Sequence, residues 1–208
     1  PSGGMKEAGL TLPGQQQSFS VYDATSSTLS VASGRISYTF GIQGPCSTTD
    51  TACSSSLVAL HTARRSLQLG ECESAIVIGV NVLNVSDSLV CATTGMTSRD
   101  GKCHTFDEGA NGYCRGEGCG AVVLRRISDA RRACEMANSE GRRRQIYGVV
   151  RGSAVLQDGR SASLTAPNGL AQEKLLRAAL ADARVSAREV QLVEAHGTGT
   201  SLGDPIEA

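Results

Sequence analysis

Cys53 and His196 are the side chains whose surroundings best suit catalysis. Cys53 stands in Asp50-Thr51-Ala52-Cys53-Ser54-Ser55-Ser56-Leu57, between a short β-like run and the start of a helical pattern. Free N–H groups and the positive end of the helix dipole favour a thiolate at such a point. The same turn offers a backbone N–H to an oxyanion. The chemistry this suggests is nucleophilic attack with a covalent intermediate. The plainer alternative is a buried structural cysteine. His196 closes an apolar run and precedes Gly197-Thr198-Gly199-Thr200. The two glycines suit close approach of backbone to a ligand, and the two hydroxyls can hydrogen-bond amides or phosphate. In open α/β sheets, ligands collect at the carboxyl ends of strands. The alternative for His196 is a satisfied turn histidine. His61, on the helix after Cys53, and His104, in a polar loop, read as structural polar positions.

Other chemistries find little support. Gly116-Glu117-Gly118-Cys119-Gly120-Ala121 matches G-x-G-x-x-A in letters. A dinucleotide site needs a strand before it and a helix after it, whereas here a loop precedes and a strand follows. No G-x-x-x-x-G-K-[ST] and no G-x-S-x-G occurs, so triphosphate and serine-hydrolase readings fall away. Of the eight cysteines, no two form C-x-x-C. The nearest metal-like group, Cys103, His104, Cys114 and Cys119, fits no common zinc spacing. No bound metal or cofactor is expected. Lys plus Arg and Asp plus Glu both total 20, so net charge argues for neither nucleic acid nor an anionic membrane. Arg125 to Arg144 holds a local basic stretch, read as a solvated loop, with docking of an acidic partner as the alternative. No aromatics interleave with it, which speaks against single-stranded nucleic acid. No apolar run is long enough to span a membrane.

The elements that must position these residues follow from 208 residues with 24 glycines, no Trp and 3% aromatics. The core is therefore expected from Ala, Val, Leu and Ile. Residues 1–18 read as loop, 23–39 as a short helix with a turn at Gly34, and Cys46 to Ala52 as a β-like run. Leu57, Leu60, Ala63 and Leu67 share a helical face, and Gly70 is a stop. Ala75 to Val82 is the apolar, β-branched run of a strand buried on both faces. Residues 84–120 read as a long polar loop, Ala121 to Ile127 as a strand, and Arg131 to Arg144 as an exposed insertion. A strand over 146–155, an amphipathic helix over 170–183, a Ser186–Glu189 capping box and a strand over 190–195 complete the pattern. Asp204-Pro205 reads as a helix N-cap with Pro at the first position, and that helix is expected to run past the last residue. Strand, helix, strand in this order indicates an α/β fold.

Taken together, the motifs resemble the β-ketoacyl synthase (ketosynthase) family, particularly the ketosynthases of type I polyketide synthases and related fatty-acid synthases. Three stretches carry the likeness. Gly44-Pro45 with Asp50 to His61 looks like the nucleophile motif. Asp100-Gly101, Thr105-Phe106-Asp107 and Gly112 to Gly118 look like the central loop. Val193 to Thr200 with Gly203 to Ala208 looks like the first catalytic-histidine motif. Asp158-Gly159-Arg160 and Thr165 to Gly169 fit the polyketide-type branch. The resemblance implies a thiolase-like α/β fold in stacked α-β-α-β-α layers, with residues 1–152 forming the nucleophile half and 153–208 opening an incomplete second half. It also implies a decarboxylative Claisen condensation. Cys53 would hold the acyl chain, His196 would stabilise the enolate, and Thr198 and Thr200 would hydrogen-bond pantetheine. The implied partners are an acyl carrier protein bearing phosphopantetheine, acyl and malonyl-type thioesters, and a second copy of the chain in a homodimer. A cytoplasmic, reducing compartment is expected, with a plastid left open. Two residues depart from the family pattern: Asn111 stands where Asp is common, and Arg99 where Pro is common. The second catalytic histidine, in a Gly-His motif with a nearby Lys, is expected beyond Ala208. The alternative is a non-catalytic ketosynthase-like module that binds carriers or dimerises. A thiol-dependent hydrolase is weaker, because no Cys-His-Asn pattern is evident.

Overall fold

The computed structural model describes residues 20–26 and 28–208. The loop expected over 1–18 lies outside the described residues. The described residues divide into two compact units, one of those up to 82 with 117–147, the other of 83–116 with 148–208.

In the first unit, helices α1 (Asp23–Ser26) and α2 (Leu29–Phe40) open the described chain. Gly34 lies inside α2, and the turn expected there falls at Gly41, which takes the left-handed conformation of a helix stop. Residues 46–51 form no strand. Helix α3 (Ser55–Leu69) stops at Gly70 as expected and turns Leu60, Ala63 and Leu67 inward, but Leu57, expected on the same face, is exposed at its first turn. Strand β1 (Ser74–Asn81) pairs antiparallel with β2 (Gly118–Arg125), with Gly79 opposite Gly120. A Cβ on Gly79 would lie 2.9 Å from the Cβ of Ser56, so the bare backbone of β1 is what lets the start of α3 seat on the sheet. The Arg126 guanidinium donates to the carbonyls of Leu67 and Cys72, tying the end of β2 to the end of α3. Leu67 and Val77 are buried, but Ile76 and Val80 are about half exposed, so β1 is not covered on both faces. Helix α5 (Ile127–Ser139) occupies most of the basic stretch read as an irregular insertion. Its inward face is Ala130, Ala133, Cys134 and Ala137, at helical spacing.

In the second unit, helix α4 (Val85–Thr93) stands within the stretch expected as loop. The Asn84 side chain caps it by accepting from the Asp87 amide at 2.7 Å. Helix α6 (Gly169–Ala183) is where periodicity puts it, although Leu176 points to solvent. Asn168 caps α6 and is itself held by the Asp158 carboxylate and carbonyl. The Ser186–Glu189 capping box is present around a 3-10 turn. Segments 146–155 and 190–195, expected as strands, are in no ladder among the described residues. Apolar alternation makes a segment suitable for a sheet, but a strand exists only with a hydrogen-bonded neighbour. Residues 152–153 instead run along α6. A side chain at Gly152 would collide with the backbone of Ala179 and Ala183, and the Ser153 amide donates to Asp182. A short helix α7 (Gly203–Glu207) closes the chain, with Leu202 and not Asp204 at its N-cap. No helix among the described residues is long and apolar enough to cross a membrane.

Candidate active site

Cys53 lies in the first unit, at a turn built largely from its own polar neighbours. It occupies a 3-10 turn, Ala52–Ser54, that runs into α3. The Asp50 carboxylate accepts from the Ala52 amide at 3.1 Å. The Ser55 hydroxyl donates to the Ala52 carbonyl at 2.6 Å and accepts from the Thr51 amide at 2.9 Å. The Ser54 hydroxyl donates to the Thr51 carbonyl at 2.9 Å. These bonds hold Ala52 at φ 54, a left-handed conformation that costs a residue with a side chain about 1–2 kcal/mol. Such strain persists only where the surroundings over-determine it. Its product is a free thiol standing exposed at the head of a fifteen-residue helix. Cys53 is exposed in this structure and not buried.

Another thiol in the same unit also has unusual surroundings. Hydroxyls of Ser33 and Ser37 hydrogen-bond Cys46 and hold its thiol below the ordinary cysteine value; Ser37 lies at 3.4 Å. Cys46 is exposed as well.

His196, Thr198 and Thr200 share one turn in the second unit, and α7 holds it. Glu207 accepts from the amides of both His196 and Gly197, the latter at 2.7 Å. Asp204 is the one buried charged side chain among the described residues. Its carboxylate accepts from the amides of Gly199 at 3.0 Å, Thr200 at 3.3 Å and Phe106 at 2.7 Å. Asp204 therefore does not cap its own helix. It ties three backbone donors from two distant segments to one point. The Thr198 and Thr200 hydroxyls are 3.2 Å apart, and Thr200 also accepts from the Gly203 amide. Gly199, at φ 72, sits so close to the central loop that a Cβ there would lie 2.8 Å from the His104 amide. The imidazole of His196 is left exposed on this braced turn.

The central loop carries its own brace. Asp100 accepts from Asn111 at 2.8 Å and meets His104 at 3.3 Å, and these two contacts hold its carboxyl below the usual value. Asn111 is thus a donor to this carboxylate, a bond that an ionised Asp in its place could not make. Nothing in the structure explains Arg99. The clamps from Asp204, Glu207 and Asn111 escape sequence reasoning, because each joins residues that have no local pattern in common. The run of Asp, Ser and Thr around Cys53 was the available signal for its turn.

Replacing Asp204 with alanine leaves three backbone donors without their acceptor. Only the Gly199 bond is fully buried and the other two are partly so, and at about 1–3 kcal/mol for a buried donor left unpaired the loss is on the order of 2 kcal/mol or more. Thermal melting is expected to fall by several degrees, and less for Asp204→Asn, which keeps an acceptor oxygen. An unchanged melting curve for Asp204→Ala would contradict this account of the turn.

Residues 2–130 match the model of the beta-ketoacyl synthase N-terminal domain, and residues 147–208 that of the C-terminal domain. Over 189 residues, 90% of this chain, the sequence is 52% identical to the phenolphthiocerol synthesis polyketide synthase type I Pks15/1 of Mycobacterium bovis, of which it spans 8%. It is 50% identical over 188 residues to the spectinabilin polyketide synthase system protein NorA' of Streptomyces orinoci, covering 90% of this chain and 5% of that one. The ketosynthase from module 6 of the bacillaene synthase of Bacillus subtilis 168 superposes with a TM-score of 0.80 at 40% identity, covering 86% of this chain and 31% of that one. The oxazolomycin ketosynthase domain OzmH KS7 of Streptomyces albus JA3453 gives 0.79 at 42% identity, with 88% and 30% covered.

Proposed function

The chain belongs to the β-ketoacyl synthase family and has its thiolase-like α/β fold, and from that premise we propose that the protein carrying it elongates polyketide chains by decarboxylative Claisen condensation. The observation that carries the reading is the exposed Cys53 thiol at the head of α3, in a family whose relatives include named ketosynthases.

Each step has a residue suited to it. The Cys53 thiolate attacks the carbonyl carbon of an acyl thioester on the phosphopantetheine of an acyl carrier protein. A new thioester forms, and the carrier thiol leaves. A malonyl-type carrier thioester then loses carbon dioxide, and negative charge passes to its thioester oxygen as an enolate. His196 donates a hydrogen bond to that oxygen, where a fixed donor is worth most. The α-carbon attacks the Cys53 thioester, Cys53 leaves as thiolate, and the β-ketoacyl chain remains on the carrier. Thr198 and Thr200, on the same turn as His196, offer hydroxyls to the amides of the pantetheine arm. No resident metal or cofactor enters this scheme.

The broader assignments belong to the same proposal. Residues 1–152 form the nucleophile half and 153–208 begin the other, the protein works as a homodimer, and its compartment is reducing. The experiment is incubation of the whole protein with an acyl carrier thioester and a malonyl carrier thioester. Carbon dioxide release coupled to a β-ketoacyl product is expected. Carrier binding with neither would favour the non-catalytic module.

A further inference from the structure

We propose that Thr105 is a positioning residue for His196, acting through the Gly197 carbonyl. The inference rests on the reading of His196 as the enolate donor.

Gly197 follows His196 directly, and its carbonyl lies in the next peptide, Gly197–Thr198, so a hold on that carbonyl reaches His196 by fixing the backbone torsions of Gly197. That residue is gripped from several sides. Its N–H is donated to Glu207 at 2.7 Å, and the amide of His196 goes to the same carboxylate. Its carbonyl accepts from the Thr105 hydroxyl at 2.6 Å, across 92 positions of sequence. Thr105 makes a second contact with Gly197 through its methyl group. A Cβ on Gly197 would lie 2.8 Å from Thr105 Cγ2, so that methyl fills the space a side chain would need. Gly197 is also at φ 54, where the backbone prefers glycine. Thr105 thus combines a hydroxyl that fixes the carbonyl with a methyl that closes over the turn.

Thr105 is in turn well placed to act as an anchor. Its neighbour Phe106 is at φ 56 and donates its amide to the buried Asp204 carboxylate at 2.7 Å. The same carboxylate holds Gly199 and Thr200. Thr105 and the His196 turn are therefore fixed to one buried group, and the Thr105–Gly197 bond closes the loop between them. Thr105 is exposed, so loss of its hydroxyl strands no buried donor and leaves folding largely intact.

The side chain has two near-isosteric substitutes that separate its functions. Valine keeps the shape and loses the hydroxyl, while serine keeps the hydroxyl and loses the methyl. In the whole protein, Thr105→Val is expected to load Cys53 to the wild-type extent and to keep KM for the malonyl carrier thioester within about twofold. Its condensation kcat should fall about tenfold, the size of one modest hydrogen bond felt in the transition state. Thr105→Ser should keep most of the wild-type kcat. A Val variant that condenses like wild type would overturn the proposal. So would a Ser variant as slow as Val, or a Val variant that loses loading and condensation together. His196→Ala, run alongside, tests the reading beneath: condensation unaffected in that variant would sink it, and the role of Thr105 with it.

Discussion

Cys53→Ala in the whole protein is expected to lose acyl loading completely. Alanine has no atom that can attack a carbonyl, and a covalent intermediate leaves no partial route through that position. The exposed turn makes the substitution structurally mild. The bonds that hold it run through Asp50, Thr51, Ser54 and Ser55, and none uses the Cys53 thiol. The variant should therefore melt with the wild type while its intact mass stays unchanged by an acyl carrier thioester. Equal loading of the mutant would remove Cys53 from its proposed role.

His196→Ala is expected to separate the two half-reactions. Loading needs the thiol and its surroundings, so acyl transfer to Cys53 should persist. Condensation needs a donor at the enolate oxygen, and loss of one such donor costs about 10²–10³-fold in rate. The backbone of the turn should survive, because Glu207 and Asp204 hold amides and not the imidazole. Rates of carbon dioxide release from a malonyl carrier thioester, measured on protein already acylated, would report the effect. A rate within twofold of wild type would show that His196 does not serve the enolate.

How far these features could be read from sequence depended on whether their causes were local. Helix α3 and its stop were legible because Leu60, Ala63, Leu67 and Gly70 carry the signal within one element. Helix α5 is hard to read although Ala130, Ala133, Cys134 and Ala137 have helical spacing, because small residues give a faint apolar stripe beneath many arginines. Helix α4 is hidden because its cap, Asn84, sits in a stretch rich in Ser, Thr and Gly that reads as loop. The segments 146–155 and 190–195 have the composition of strands, but pairing is decided by neighbours that composition does not reveal. At the site, Cys53 and His196 were legible as residue types at the ends of elements. Their supports were not, since Asp204 reaches Phe106 across 98 positions.

The central claim is that Cys53, and not another thiol, carries the acyl chain. The sharpest rival is Cys46, exposed and with its thiol held low by Ser33 and Ser37. Cleavage after Arg35 and Arg64 places both cysteines in one peptide, so the mass of that peptide alone does not distinguish them. Fragmentation of the acylated peptide between residues 46 and 53 does. The acyl mass is expected on fragments containing Cys53 and absent from those that contain only Cys46. An acyl group on Cys46, with Cys53 unmodified, would contradict the account.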